Sequence, residues 1–332
     1  MGHRFINELV PGELLEDQVF LVLSKDLRST TQGSLYIHVI LGDRTGQLLG
    51  RVWQASEAMY RAIPEGGFLR VRGRTENYKG NLQFIVEAIA PVKPEEVDLA
   101  DFLPRSQRDV EEMWERTKTI LRRVENRHLR LLIKHFVQDE ALMEGFKKAP
   151  AAVQMHHSYL GGLLEHTLNV LELGLLVTPR YPSLSMDLVL AGIFLHDLGK
   201  AEEMAYETNF TYTDCGQLVG HIVQCAVWID RKVAAVEAES GEPFPKPMRD
   251  ALQHIVLSHH GKHEFGSPRL PAMPEAILVH LLDNIDAKLA QYFAAIQTDR
   301  DEHSNWTQYV RSLETKVFKA DVMGAQAKPS RA

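Results

Sequence analysis

The sequence predicts a protein of mixed α and β class in two parts: a small all-β barrel, then a larger all-α body. Three observations point there. Apolar residues alternate with period two through most of the first ninety positions. In GSLYIHVILGD, for example, Leu35, Ile37, Val39 and Leu41 fall on one face and Tyr36, His38 and Ile40 on the other. A proline- and acid-rich stretch without any period follows, PVKPEEVDLADFLPRSQ. From Arg108 onward the apolar spacing becomes helical. At 332 residues the chain has room for two domains of roughly 100–200 residues each. Its 45% apolar and 24% charged content is that of a folded globular chain, which excludes a disordered one.

Taken in order, GSLYIHVILGD turns at Gly42-Asp43-Arg44-Thr45-Gly46 and returns as QLLGRVW. A short helix is expected over 55–62, then the strand FLRVRGR, then a hairpin across 77–81 into LQFIVEAIAPV. Three strands, a short helix and two strands resemble an OB-fold, a five-stranded Greek-key barrel that often holds single-stranded nucleic acid. The barrel is expected over 1–92 and a linker over 93–107. Helices are expected for DVEEMWERTKTILRRVE, HLRLLIKHFVQ and LMEGFKKA, and over 160–176, 186–198, 219–238, 248–257, 274–294 and 304–318. That helical body spans 108–320, with its core at 155–290 and a frayed tail at 321–332.

Net charge is −7, so any nucleic-acid contact must come from a local patch or through a bound metal. No stretch approaches the roughly 18 apolar residues of a membrane helix, and MGHRFINELV lacks the apolar core of a secretory signal. Cys215 and Cys225 form no zinc-type or redox-type pair. A cytoplasmic home without membrane attachment is the expectation.

Ten of the fifteen histidines lie between His156 and His280. In MDLVLAGIFLHDLGK an apolar run, Leu188–Leu195, ends on His196-Asp197, and Gly199 suits a helix C-terminus. A helix apolar nearly all round is buried. An imidazole and a carboxylate at its buried end cost several kcal/mol unless paired or bound to metal. Alone, the pair reads equally well as a hydrogen-bonded helix cap. It is not alone. His166 lies upstream in GGLLEHT, and His221, His259-His260 and HLLDNID, with Asp283 and Asp286, follow downstream.

The order His…His-Asp…Asp resembles the HD superfamily of metal-dependent phosphohydrolases over about 155–290. The resemblance implies that His166, His196, Asp197 and Asp283 hold one divalent ion. It further implies that His221, His259 and His260 hold a second, with Asp197 bridging. Spacing alone leaves Asp283 and Asp286 as alternatives. Imidazoles and carboxylates suit Mn²⁺, Fe²⁺, Co²⁺ or Zn²⁺. Two such ions against two carboxylates leave surplus positive charge for a phosphodiester. Lys200 reads as a phosphate contact or as a helix C-terminal cation. His157, and His263 in the loop HHGKHEFGSP, are candidate substrate contacts, whereas His254 reads as packing and His280 as a partner behind the ligands.

In FLRVRGRTENYKG the guanidiniums of Arg70, Arg72 and Arg74 alternate with Leu69, Val71 and Gly73. Lys79 and Tyr78 follow, and Tyr36 and Trp53 lie on neighbouring strands. Cations among aromatics suit a single strand, with phosphates on the cations and bases on the rings; the bland alternative is an ordinary solvated strand face. An OB-fold joined to an HD domain, with the pieces HHSYLGGLLEHT, FLHDLGK, LVGHI and HHGKHEFGSP, resembles the YhaM family of 3′→5′ exoribonucleases over nearly the whole chain. That resemblance implies two ions, Mn²⁺ or Co²⁺ first with Fe²⁺, Zn²⁺ or Ni²⁺ as further candidates. It implies single-stranded RNA as substrate, single-stranded DNA besides, and a homo-oligomer. Two alternatives stand beside it: a phosphodiesterase or nucleotidase for small nucleotides, with the OB-fold serving assembly or regulation, and a non-catalytic nucleic-acid binder with a vestigial HD site, against which the full set of ligands counts.

Overall fold

A computed structural model of the chain describes residues 3–30, 32–78, 81–153, 157–299, 301 and 304–323. The expected contact at Lys79 and positions 324–332 of the expected tail lie outside the described residues. The chain divides into two compact units. One is Met1–Gln107 together with Met204–Thr213; the other is Arg108–Glu203 together with the described residues from Asp214 onward.

In the first unit five strands close into a barrel in the order β1-β2-β3-β5-β4. They are β1 (Leu14–Ser29), β2 (Leu35–Asp43), β3 (Gly46–Val52), β4 (Phe68–Tyr78) and β5 (Asn81–Val92), with the short helix α1 (Glu57–Ala62) between β3 and β4. This is the OB-fold arrangement. Closure depends on β1, which pairs with β2 and with β4. Register shifts at Val22/Ser24 and Leu15/Gln18 add the local twist that bends one long strand across both neighbours. The parallel β3–β5 pairing completes the ring. Ile37, Val39 and Leu41 point into the core with Phe20, Val22, Leu48, Val52, Leu69, Val71, Phe84 and Val86. Helix α1 starts at Ser56, whose hydroxyl accepts from the Met59 N–H at 3.2 Å.

The expected linker, 93–107, is ordered against this barrel. Phe102 and Leu103 are buried, and Phe102 lies 4.8 Å from Phe68 between ring centroids. The backbone of Arg44 donates to the Asp101 carbonyl. Two apolar residues in an acidic stretch escape a reading based on period, yet they suffice to hold it down.

The second unit is helical: α2 (Val110–Leu121), α3 (Arg127–Val137), α4 (Glu140–Lys148), α5 (Gly162–Val177), α6 (Met186–His196) and α7 (Lys200–Glu203). A two-stranded excursion, β6 (Met204–Ala205) with β7 (Thr211–Tyr212), interrupts it and is grouped with the barrel unit. Then come α8 (Asp214–Leu218), α9 (His221–Ser240), α10 (Lys246–Ser258) and α11 (Pro274–Thr298). Helix α6 is the centre: every residue from Val189 to His196 is buried, and α5, α10 and α11 pack around it. Ser185 caps its start, accepting from the Leu188 N–H at 3.2 Å.

The helix expected over 304–318 is not formed. That segment holds only a 3-10 turn, Arg311–Leu313, and two isolated antiparallel bridges, Trp306 to Phe318 and Val310 to Thr315. Its aromatic and β-branched residues, Trp306, Thr307, Tyr309, Val310, Thr315, Val317 and Phe318, favour extended backbone. Lys319, bound to Asp299, ties its far end back to the end of α11. Among the described residues no helix is long and apolar enough to cross a membrane.

Candidate metal centre

His196 ends α6 and Asp197 follows it as the C-cap residue, so the apolar helix delivers both groups into the core. His166 reaches the same point from the second turn of α5, Asp283 from the middle of α11, and His221 from the first position of α9. His259 and His260 arrive just past the end of α10.

The imidazoles share one pattern. Nδ1 of His196 donates to the Ile193 carbonyl at 2.6 Å, and Nδ1 of His259 to the Val256 carbonyl at 2.7 Å. Both carbonyls stand three residues back at a helix end, where carbonyls lack intrahelical partners. His260 Nδ1 donates to the Phe265 carbonyl at 2.7 Å, His166 Nδ1 to Asp286 at 2.7 Å and His221 Nδ1 to Glu203 at 3.0 Å. An oxygen acceptor at Nδ1 fixes the proton there and leaves the Nε2 lone pair for a cation.

Around Asp197 Oδ2, His196 Nε2 stands at 3.5 Å and His166 Nε2 at 3.7 Å. The two Nε2 atoms are 3.3 Å apart, and Asp283 Oδ1 is 3.2 Å from that of His166 and 4.0 Å from that of His196. Around Asp197 Oδ1, the Nε2 atoms of His221 and His259 each stand at 3.4 Å. Asp197, His221, His259 and His260 bring ligand atoms within 4.8 Å of one another. Donors sharing one ion at about 2.1 Å sit roughly 3.0–3.4 Å apart, close to these separations. Asp197 Oδ1, His221 Nε2 and His259 Nε2 are buried without hydrogen-bond partners. Three such atoms facing one another cost several kcal/mol unless a cation satisfies them. The donor set therefore fits divalent metal, with Asp197 common to both groups of donors.

Lys200 Nζ donates to Asp197 Oδ2 at 2.8 Å in the buried interior. Burial works against the charge on Asp197, but Lys200 and the surrounding imidazoles hold its carboxyl well below the usual range. His157, one of the sequence candidates for substrate, has both ring nitrogens engaged, with Tyr159 Oη and with Asp286, each at 2.7 Å. His263 lies in the exposed loop after His260 and donates to the Ser267 carbonyl at 3.0 Å. Asp286, the sequence alternative to Asp283, stands on the Nδ1 side of His166, away from the Nε2 atoms. Glu203 behind His221 and Asn169 beside Asp286 carried no signal in the sequence, because each acts on a residue far along the chain.

Charge state gives a pH prediction. Burial opposes a proton on His166, but hydrogen bonds to Asp283 and Asp286 outweigh it and raise its pKa to about 10. Burial outweighs the attraction of Asp197 in His196, pushed down to about 4, and with repulsion from His259 pushes His260 down to about 3. Near neutral pH the metal-free centre thus carries an imidazolium at His166, which a divalent ion must deprotonate. Affinity for Mn²⁺ is expected to rise by about tenfold per pH unit between about pH 7 and 9, with about one proton released for that ion. Calorimetry in buffers of different ionisation enthalpy measures that release; a flat profile would mean that no imidazolium at His166 is displaced by the ion. Metal-free stability follows the opposite sign, because the raised pKa contributes most below about 6.5 and is lost as pH rises through about 10.

Gly261 keeps the His259-His260 pair in place. Its φ is +78°, and a Cβ there would lie 2.2 Å from the ring of His280. That ring donates from Nδ1 to the His259 carbonyl at 2.6 Å. Gly261→Ala is expected to cost about 1–3 kcal/mol of stability and to weaken metal binding by the His259-His260 pair, read by thermal melting and metal content.

The barrel carries a second cluster on its outer face. The rings of Tyr36 and Trp53 lie 5.1 Å apart, and the Arg51 guanidinium is 5.2 Å from Tyr78, 5.6 Å from Trp53 and 6.0 Å from Tyr36. Strand register sets His38, Arg51, Ile85 and Arg74 side by side across β2, β3, β5 and β4. Arg70, Arg72 and Arg74 all face outward; Arg72 and Arg74 are exposed, while Arg70 is paired with Asp17 at 2.5 Å. Arg51 was absent from the sequence candidates, although its alternation with the inward Val52 places it beside Trp53.

Residues 163–288 match the family described as HD domain, a family of metal-dependent phosphohydrolases. Among solved structures, the chain is similar to the second OB-fold domain of replication protein A from Methanococcus maripaludis. The identity is 22% over 27% of this chain and 95% of that one, with a TM-score of 0.22. A crystal structure of a domain of the same protein gives 21%, 27%, 96% and 0.24. A replication protein A heterotrimer bound to single-stranded DNA gives 17%, 26%, 62% and 0.19.

Proposed function

We propose that this chain, with an HD domain at residues 163–288, is a metal-dependent 3′→5′ exoribonuclease acting on single-stranded RNA, and on single-stranded DNA as a second substrate. The observation that carries the reading is the aromatic and guanidinium cluster Tyr36, Arg51, Trp53 and Tyr78 on a barrel in the same chain as the HD domain. Stacking rings around a cation serve a strand of nucleotides, whose every base has a π-face. In a small-nucleotide hydrolase the same cluster would be left to assembly or regulation.

In this reading the barrel over 1–92 grips the strand and the body over 108–320 cuts it. His166, His196, Asp197 and Asp283 would hold one ion, and Asp197, His221, His259 and His260 the other. When bound, two Mn²⁺ or Co²⁺ ions supply an activated water and neutralise charge developing on the phosphodiester. Asp197 would offer one carboxylate oxygen to each position. Lys200, buried beside it, is the cation at hand for a phosphate oxygen. The seven donors include only two carboxylates, so the loaded centre keeps net positive charge for an anionic substrate.

The test is single-stranded RNA labelled at either end, with Mn²⁺, resolved by product length. Nucleoside 5′-monophosphates are expected at once from the 3′ label, and a progressively shortening ladder from the 5′ label. A terminal 3′-phosphate should slow the reaction. Cleavage of circular RNA would rule out an exonuclease, and preference for cyclic dinucleotides or dNTPs over RNA would favour the small-nucleotide reading.

A further inference from the structure

Two carboxylates stand behind the candidate ligands rather than among them. Asp286 Oδ2 accepts from His166 Nδ1 and from His157 Nε2, each at 2.7 Å, while its Oδ1 accepts from Asn169 Nδ2 at 3.0 Å. His157 is itself fixed: its φ is +49°, and its carbonyl packs so closely on Gly162 that a Cβ there would lie 2.1 Å away. Glu203 Oε1 accepts from both Nδ1 and the backbone N–H of His221, each at 3.0 Å. The other three imidazoles rest on backbone carbonyls.

That difference has chemical weight. An imidazole whose Nε2 lone pair goes to a cation gains positive charge, and a carboxylate at Nδ1 stabilises that charge more than a neutral carbonyl does. The two backed histidines belong to opposite sides of Asp197. His166 shares its side with the carboxylate of Asp283. His221 shares its side with His259 and His260, where Asp197 is the single carboxylate among the grouped donors and is also claimed by the other side. Glu203 therefore supplies, from behind, the negative charge that the donors around His221 lack.

We propose that Asp286 and Glu203 are positioning residues that set the two metal positions separately: Asp286 the one at His166, Glu203 the one at His221. The carboxylate-rich position at His166 fills first, and occupancy of the second depends on Glu203. The inference rests on the metal-hydrolase reading above.

Full-length Glu203→Gln and Asp286→Asn, titrated with Mn²⁺, test it. Equilibrium dialysis reads stoichiometry and affinity, electron paramagnetic resonance reads whether two ions are exchange-coupled, and melting of the metal-free forms reads folding. Wild type should take two equivalents and show the coupled signal. Glu203→Gln should keep the first equivalent unchanged, weaken the second by about 10–100-fold and show an isolated Mn²⁺ spectrum where wild type shows the pair. Asp286→Asn should weaken the tighter equivalent by a similar factor. Asn169→Ala, which loosens Asp286 without altering its charge, should weaken the same equivalent by less, and it stands in if Asp286→Asn does not melt cooperatively. Parallel loss of both equivalents in Glu203→Gln, or no change in either with two ions bound, would overturn the proposal while leaving the hydrolase reading in place. A wild-type protein that binds no Mn²⁺ would overturn both.

Discussion

Asp197→Ala is expected to reduce hydrolysis of bis-p-nitrophenyl phosphate and of RNA by about three orders of magnitude or more, since several kcal/mol of charge stabilisation go with the ions. Both carboxylate oxygens are in use, Oδ2 toward His166 and His196 and Oδ1 toward His221 and His259. In the proposed two-ion reading, removing them would strip a ligand from both positions, so metal content should fall below one ion per chain. His221→Ala touches one position and should retain one ion. Asp197→Ala also leaves the buried Lys200 ammonium without its partner, and breaking a buried pair costs about 3–5 kcal/mol. Asp197→Asn separates the two effects, because it keeps an acceptor for Lys200 while removing the charge. Full activity with metal present in either variant would sink the assignment.

The second large effect is expected on the barrel. Tyr36→Ala with Trp53→Ala removes two rings that in the proposed reading stack on bases, each contributing about 1–3 kcal/mol per base, so affinity for a long RNA should fall by at least about fivefold per ring. Arg51→Ala should act with them rather than independently, because its guanidinium sits over both rings and Tyr78. Replacing Arg70, Arg72 and Arg74 should flatten the slope of log K against log salt by about 0.7 for each phosphate no longer neutralised. Arg70 already pairs with Asp17, so the change should be nearer two phosphates than three. Turnover of bis-p-nitrophenyl phosphate should stay near wild type in all of these. Unchanged RNA binding would leave the rings as ordinary barrel surface; collapse of both activities would point to misfolding.

Much of this was legible in the sequence because it rests on local pattern. Period-two alternation placed Ile37, Val39 and Leu41 inward, and the apolar runs of α5 and α6 announced buried helices carrying His166, His196 and Asp197. What was not legible depends on partners distant in the chain. The 304–318 segment has helix-compatible spacing but β-branched and aromatic content, and its conformation is settled by pairing Trp306 with Phe318 and by Lys319 reaching Asp299. Phe102 and Leu103 look like two stray apolar residues in an acidic stretch until the barrel is there to bury them. Glu203 is one acid among several after Lys200, and only the fold shows that it meets His221. Sequence spacing could not choose between Asp283 and Asp286, three residues apart on one helix; one turn separates a carboxylate facing Nε2 of His166 from one facing its Nδ1.

The grouping of Met204–Thr213 with the barrel unit bears on how far the two parts can be separated. By chain order alone, cutting before Arg108 should free an independent helical unit. Such a fragment would still carry the β6–β7 excursion without the unit it is grouped with, starting at the residue right after Glu203. Any fraying there would run directly into the carboxylate that orients His221. Exchange of the barrel for another domain should therefore be planned as a two-segment graft, taking Met1–Gln107 and Met204–Thr213 together, since the boundary between the halves is crossed three times by the chain rather than once.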